Sequence, residues 1–162
     1  MMQITKKKVI LAAIVCAVVV LAMILSIVMV SQIKPPAFVP PEFDAAAVDG
    51  TPTDAGDSWS RIFQEGMNFS AHICGRIVPY DGKADLYFTN DAENAVLMKL
   101  RVYNEMGAII AETGLIRPGQ YIKTVTFTTV PKNGEKISMK IMTYQPDTYY
   151  SEGAVAVTTM IG

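Results

Sequence analysis

Cysteine and histidine are scarce in this chain of 162 residues, and their scarcity excludes several kinds of site. There are two cysteines, Cys16 and Cys74, and one histidine, His72. Cys16 falls inside a long apolar run and Cys74 lies far beyond it, so we expect no disulfide within the chain. His72 and Cys74 share a strand face, but a zinc site needs three or four ligands. We therefore predict neither a metal site nor a cofactor.

Acidic residues are missing from the first 31 positions. All 15 lie beyond Ser31, together with 11 basic residues. A mildly acidic segment of this kind argues against binding to nucleic acid. Sequence signatures of catalysis are also missing, since there is no G-x-S-x-G elbow and no phosphate-binding glycine loop. We therefore predict that the protein is not an enzyme.

The chain does contain one long uncharged run, the 22 residues from Val9 to Val30, directly after Lys6, Lys7 and Lys8. A helix of about 20 apolar residues spans the roughly 30 Å core of a bilayer. Lysines before the run favour a cytoplasmic N-terminus and an exterior C-terminal part. A cleaved signal peptide is the alternative, but its apolar core has only about 7–15 residues. We expect an uncleaved, single-pass anchor in the lipid of the plasma membrane.

Five prolines mark the segment after this run, which favours extended polyproline II geometry and predicts a tether. We expect Phe38, Val39 and Phe43 in this tether to dock partly on the following domain. Asp57-Ser58 before Trp59, Ile62 and Phe63 fits one short capped helix. The predicted organisation is a cytoplasmic N-terminus over 1–8, a transmembrane helix over 9–30, a Pro-rich extracellular tether over 31–58 and a β-sandwich domain over 59–162.

From residue 67 onward, apolar and polar residues alternate with a period of two, and turn residues separate the runs. Such alternation is typical of strands with one buried and one wet face. About seven antiparallel strands without helical periods predict an all-β, immunoglobulin-like β-sandwich. Lys99 falls on the wet face. The residues predicted to be buried are Leu86, Phe88, Leu100, Val102, Ile141 and Val157.

Several turn motifs carry a resemblance to a known group of proteins. They are the Asn90–Asn94 turn, the strand Leu97–Tyr103, the Gly114–Gln120 hinge and Pro40-Pro41-Glu42-Phe43. With these, the chain resembles small uncharacterised membrane-anchored β-sandwich proteins of Gram-positive, Firmicutes-type bacteria. The resemblance implies a bacterial surface context and brings no functional residues with it.

Tyrosines gather around the loop before the last predicted strand, at Tyr144, Tyr149 and Tyr150. Tyrosine is enriched in binding loops, although such rings also cover the end of a sandwich. We predict a membrane-tethered extracellular module that binds or scaffolds a protein or glycan partner, with these tyrosines as the contact. The alternative is a pilin-like or secretion or conjugation subunit that assembles through its N-terminal helix. Oligomeric state stays open.

Overall fold

The computed structural model describes residues 6–31, 38–62, 64 and 66–162. They belong to two compact units, Met1–Val39 and Pro40–Gly162. The first unit contains helix α1, Lys6–Ser31. Within the described residues, no helix combines the length and the apolar character needed to cross a membrane.

Some predictions fall on parts of the chain that the structure does not describe. These are the predictions for residues 1–5 of the N-terminus, for residues 32–37 of the tether and for Phe63. The same holds for the side chains of Lys6, Lys7, Lys8, Val9 and Val30.

The second unit consists of strands. Their bounds are β1 Val48–Asp49, β2 Trp59–Ile62, β3 Ala71–Cys74, β4 Lys83–Asn90, β5 Leu97–Tyr103, β6 Ile109–Glu112, β7 Gln120–Thr126, β8 Lys136–Tyr144 and β9 Ser151–Met160. One sheet has the order β1-β7-β4-β3-β2 and the other the order β6-β5-β8-β9. All neighbouring strands run antiparallel. The prediction of an antiparallel all-β domain is confirmed, with nine strands in the described residues against about seven expected.

Apolar side chains from both sheets form one core. Leu86, Phe88, Leu100 and Ile141 are fully buried and Val102 nearly so, as the alternation predicts. Val157 is only half-buried. It lies on β9, which among the described residues pairs with one strand, β8.

The alternation also places Tyr87 and Leu97 on the wet face, and that prediction is wrong at several positions, of which Tyr87, Leu97 and Lys99 are examples. Tyr87 is buried because its φ of 48° coincides with a register shift in β4, and such a bulge redirects a side chain. Leu97 is buried at the start of β5. The side chain of Lys99 is only 13% exposed, and its Nζ lies 3.0 Å from a carboxylate oxygen of Glu112 on the neighbouring β6.

The predicted helix at Trp59 is also wrong. Residues Trp59–Ile62 form β2, with Trp59 opposite Cys74 and Ile62 opposite Ala71 of β3. A helix of a few residues is marginal because its nucleus is costly. As a strand, the same residues form a ladder with β3, and Ile62 packs against the core.

The compact unit begins at Pro40, so residues 40–58 of the predicted tether contribute to the domain. β1 pairs with β7, and Phe43 forms a parallel bridge with Leu115. The guanidinium of Arg117 lies 3.8 Å from the centre of the Phe43 ring. Phe43 therefore docks as expected, whereas Phe38 and Val39 are exposed.

Candidate binding cleft

The outer face of the five-stranded sheet carries an unusual group of side chains at the β2–β3 edge. Arg61 of β2 lies directly opposite His72 of β3. Trp59 is two residues from Arg61, and alternation along a strand puts both on one face. The neighbours of His72 in β3, Ala71 and Ile73, point into the core. The chain's one tryptophan and one histidine thus share a face outside the core.

The rings of Trp59 and His72 stack, with centres 4.4 Å apart and planes 22° from parallel. The indole Nε1 donates a hydrogen bond to the carbonyl of Tyr87 at 2.9 Å. Nδ1 of His72 lies 2.9 Å from Oδ1 of Asp91. An ionised carboxylate can only accept, so this contact places a proton on Nδ1. Both rings are therefore fixed by a stack and a hydrogen bond.

The guanidinium of Arg61 is positioned by Ser70, the residue directly before β3. Its Nε donates to the hydroxyl of Ser70 at 2.5 Å. Ser70 is itself fixed, since its amide donates to Oδ1 of Asn94 at 2.9 Å and its carbonyl accepts from Nδ2 of Asn94 at 2.6 Å. The bond to Ser70 uses one of the five N–H groups of the arginine, and no described residue accepts from the other four.

Two asparagines build the loop that carries Asp91. The fully buried Asn90 donates to the carbonyls of Val96 at 2.9 Å and Ile116 at 3.2 Å. Asn94 donates to the side-chain oxygen of Asn90 at 2.7 Å. Buried amides with all partners satisfied rigidify a loop. These asparagines have a structural role here, in line with the interpretation of the motif as turn chemistry.

Together these residues line a cleft of about 530 Å³. A cleft of this size falls in the range of ligand-binding sites. It offers aromatic surface, one guanidinium and two carboxylates, a mixture that suits a ligand with flat apolar faces and several polar groups. The lining residues are Gly50, Thr51, Trp59, Arg61, Ser70, His72, Thr89, Asn90, Asp91, Ala92, Glu93 and Gly119.

Cys74 shares the strand but does not line the cleft. It is 2% exposed, and its thiol lies 3.5 Å from the carbonyl of Ala55. Burial raises the pKa of the Cys74 thiol, against a smaller lowering by a hydrogen bond with Ser58. Because the thiolate is the reactive form, this cysteine is suited to packing rather than to chemistry. In the described part of the chain, no three potential metal ligands come together.

The predicted tyrosine contact lies outside this cleft. Tyr144 is the half-buried last residue of β8, Tyr149 has a left-handed φ of 58°, and Tyr150 is 71% exposed. Tyr144 pairs with Leu97, the first residue of β5. The loop between β8 and β9 and the loop between β4 and β5 are therefore at the same end of the four-stranded sheet.

Sequence reasoning missed Trp59, Arg61 and Asp91 as site residues. Trp59 and Arg61 are two residues apart, and residues at this spacing share a face in a strand. The sequence pattern predicts a helix here, and in a helix this spacing does not place two side chains on one face. Asp91 reaches His72 across 19 positions of the chain, and no local pattern encodes that contact.

Comparisons with known proteins return nothing that resembles the chain: no family model, no curated protein and no solved structure matches it. Function is therefore inferred from the residues of the cleft and from the sequence.

Proposed function

We propose that this protein is a membrane-tethered, extracellular binding module whose cleft contacts a protein or glycan partner at the cell surface. The observation that carries the proposal is the fixed group of Trp59, Arg61, His72 and Asp91 around a cleft of about 530 Å³. Fixed side chains lose little conformational entropy when a ligand binds, which favours affinity.

Binding explains the geometry of the cleft better than catalysis does. Ser70, His72 and Asp91 are the residue types of a hydrolytic triad, and Asp91 holds Nδ1 of His72 as such a triad requires. A triad serine, however, must donate its proton to the other imidazole nitrogen. Among the described residues, no hydrogen bond joins the Ser70 hydroxyl to His72, and the hydroxyl oxygen accepts from the Nε of Arg61 at 2.5 Å. The hydroxyl is held as part of a positioning contact for the guanidinium.

The chemistry of the lining suits a ligand with ring faces and polar edges. The indole N–H of Trp59 is taken by Tyr87, so Trp59 offers the cleft ring surface rather than a donor. Arg61 supplies planar donors, and Glu93 supplies a carboxylate from the exposed loop. A sugar or an aromatic side chain of a protein satisfies this combination.

The tyrosine loop extends the proposed contact surface. Tyr150 is largely exposed and lies in a loop at the same end of the β5–β8 pair as Glu93. Exposed tyrosine gives amphipathic contact area at low entropic cost. Under this proposal, a partner larger than the cleft also contacts Tyr150.

The proposed anchor rests on the uncharged run Val9–Val30 of the sequence. The described large apolar side chains of helix α1, from Ile10 to Leu25, are each at least 45% exposed. The lysines before the run place the N-terminus in the cytoplasm under this proposal. The bacterial surface context follows from the resemblance, and an immunoglobulin-like arrangement of the two sheets is part of the same proposal.

Loss of partner binding in cleft variants tests the proposal. The partner is captured by crosslinking on intact cells that produce the full chain and is identified by mass spectrometry. We expect Arg61→Ala and Asp91→Ala to reduce the yield of the crosslinked partner at least tenfold. Lys132→Ala is the matched control, since Lys132 is exposed and does not line the cleft. Equal yields from the cleft variants and the control would contradict the proposal.

A separate pair of variants tests the tyrosine loop. Tyr149→Ser with Tyr150→Ser should weaken crosslinking and leave the thermal melt nearly unchanged. A large fall in melting temperature with intact crosslinking would show that these rings only cover the end of the domain.

A further inference from the structure

A second cavity lies beside the cleft on the five-stranded sheet, with a volume of about 400 Å³. The residues that line it include Cys74, Arg76, Tyr80, Asp85 and Tyr87. Cys74 is directly opposite Trp59 of the cleft in the β2–β3 ladder. Residues directly opposite in such a ladder share a face and have Cα atoms about 4.5–5.5 Å apart. The two cavities therefore adjoin at this pair, on the outer face of the sheet.

Each cavity has an aromatic side chain whose polar hydrogen is already used. In the cleft, the indole N–H of Trp59 donates to the carbonyl of Tyr87. In the second cavity, the hydroxyl of Tyr80 donates to Oδ1 of Asp85 at 2.7 Å. Trp59 is half-buried and Tyr80 is 47% exposed. Both residues therefore offer a ligand mainly ring surface.

Each cavity also has one guanidinium and at least one carboxylate. Arg61, Asp91 and Glu93 line the cleft. Arg76 and Asp85 line the second cavity, and Arg76 is exposed. A guanidinium only donates hydrogen bonds and an ionised carboxylate only accepts them, so each cavity binds groups that do both. The two cavities thus repeat one set of chemical groups: a ring, a guanidinium and a carboxylate.

This repeated set indicates a ligand that is itself made of similar units. A hydroxyl both donates and accepts, so two hydroxyls on adjacent carbons of a sugar bind a carboxylate and a guanidinium together. The C–H face of the sugar ring packs on an aromatic ring. A charged unit fits less well, because an anion would face the carboxylates and a cation would face the guanidinium. Uncharged sugar rings therefore match both cavities.

An extended peptide is the competing ligand, and the lining of the cavities argues against it. A peptide that adds a strand needs the free backbone groups of a sheet edge. The cavities lie on a sheet face, at the paired strands β2 and β3. A peptide that binds through its side chains needs apolar pockets for its anchors. Among the described residues that line the cleft, Ala92 is the one with an aliphatic side chain.

We propose that the ligand of the cleft is an uncharged glycan chain, with one sugar ring against Trp59 and a further ring against Tyr80 in the second cavity. This inference rests on the proposed binding function and names the class of ligand. It also extends the binding surface to Arg76 and Asp85, which lie outside the cleft.

The dependence of affinity on glycan length tests the proposal. The full chain is purified in a detergent without a sugar headgroup, and an array of uncharged, anionic and cationic oligosaccharides selects the ligand. Trp59 is the one tryptophan of the chain, so its fluorescence reports binding in the cleft during a titration. We expect an uncharged oligosaccharide to bind at least roughly tenfold more tightly than its single sugar, because linked units occupy both cavities.

Substitutions separate the contributions of the two cavities. Arg76→Ala should remove the gain with length and leave the affinity for the single sugar unchanged, because Arg76 lines only the second cavity. Arg61→Ala should weaken the binding of both ligands. Lys132→Ala, exposed and outside both cavities, is the control and should behave as wild type.

Three results would overturn this inference: binding to no uncharged oligosaccharide, a preference for charged ones, or the same gain with length in Arg76→Ala as in wild type. If a protein without sugar is the partner crosslinked on cells, and its capture still depends on Arg61, the glycan inference fails while the proposed function stands. Capture that does not depend on Arg61 contradicts the proposed function itself.

Discussion

Gly114 provides the sharpest test of how the N-terminal segment joins the domain. A Cβ added at this position would lie 2.5 Å from the backbone nitrogen of Asp44, 2.7 Å from its Cα and 2.9 Å from the carbonyl carbon of Phe43. These are backbone atoms, which cannot rotate away as a side chain can. Gly114→Ala must therefore displace residues 42–44.

Three hydrogen bonds depend on that close approach. The amide of Asp44 donates to the carbonyl of Leu115, and the amide of Leu115 donates to the carbonyl of Glu42, both at 2.9 Å. The amide of Gly114 donates to Oδ2 of Asp44 at 2.7 Å. At about 0.5–1.5 kcal/mol net for each bond, their loss costs about 3 kcal/mol. For a domain of this size, that corresponds to a fall in melting temperature of roughly 10 °C.

The assay is a thermal melt of the full chain, combined with amide hydrogen exchange of residues 42–44. Gly75→Ala is the matched control, because a Cβ at Gly75 meets its nearest neighbour, the carbonyl oxygen of Ser58, at an ordinary 3.8 Å. We expect the Gly75 variant to melt within about 2 °C of wild type, since its contacts stay within van der Waals distance. Equal melting temperatures for Gly114→Ala and Gly75→Ala, or unchanged exchange at residues 42–44, would refute the reasoning.

Three further predictions concern the core, the loop that carries Asp91 and an ion pair. Leu100→Ala should lower the free energy of unfolding by about 2–5 kcal/mol in denaturant titrations, because it removes a fully buried side chain. Asn90→Ala should cost about 1–3 kcal/mol, because the carbonyl of Val96 loses the Asn90 donor while that of Ile116 keeps the amide of Met98, and faster amide exchange in residues 91–96 should accompany the loss. Burial raises the pKa of Glu112, but hydrogen bonds from Arg101 and Lys99 outweigh it and leave that pKa below its ordinary value of 4.5. Because the pKa of Glu112 is lower in the folded state, the ion pair stabilises the fold above pH 4.5, and this stability is lost as the pH falls through the folded-state pKa. In thermal melts, the melting temperature of Glu112→Gln should therefore fall less than that of wild type between about pH 6 and about pH 3.

The period of two was sufficient to predict strands and most of the core, because burial of one face leaves a direct trace in the sequence. Leu86 and Phe88 illustrate this, since both alternate with polar residues and both are fully buried. Tyr87 broke the pattern because a bulge changes the face of one residue, and a bulge has no period. The helix predicted at Trp59 failed because four residues are too few for periodicity to separate a helix from a strand.

The candidate cleft could not be predicted as a unit. Its residues come from β2, β3 and the residue before it, the end of β4, the β4–β5 loop, the segment after β1 and the residue before β7, and the pairing of strands brings them together. His72 stood out only as the single histidine. Its partner Asp91 lies in the Asn90–Asn94 turn. The asparagines of that turn indicated a structural role, and nothing in the motif indicated that the carboxylate of Asp91 contacts His72.

Photocrosslinking from the rim of the cleft tests the central claim most directly. In the test chain, a photoreactive residue replaces Ala92, which is exposed and lines the cleft. In the control chain it replaces Ala108, an exposed alanine in the β5–β6 turn at the other end of β5. Both full-length chains are produced in cells and irradiated intact. The account predicts that position 92 captures a discrete surface protein or glycan and that Arg61→Ala abolishes this capture, while position 108 captures none. Equal capture from both positions, or capture from position 92 that Arg61→Ala leaves unchanged, would contradict it.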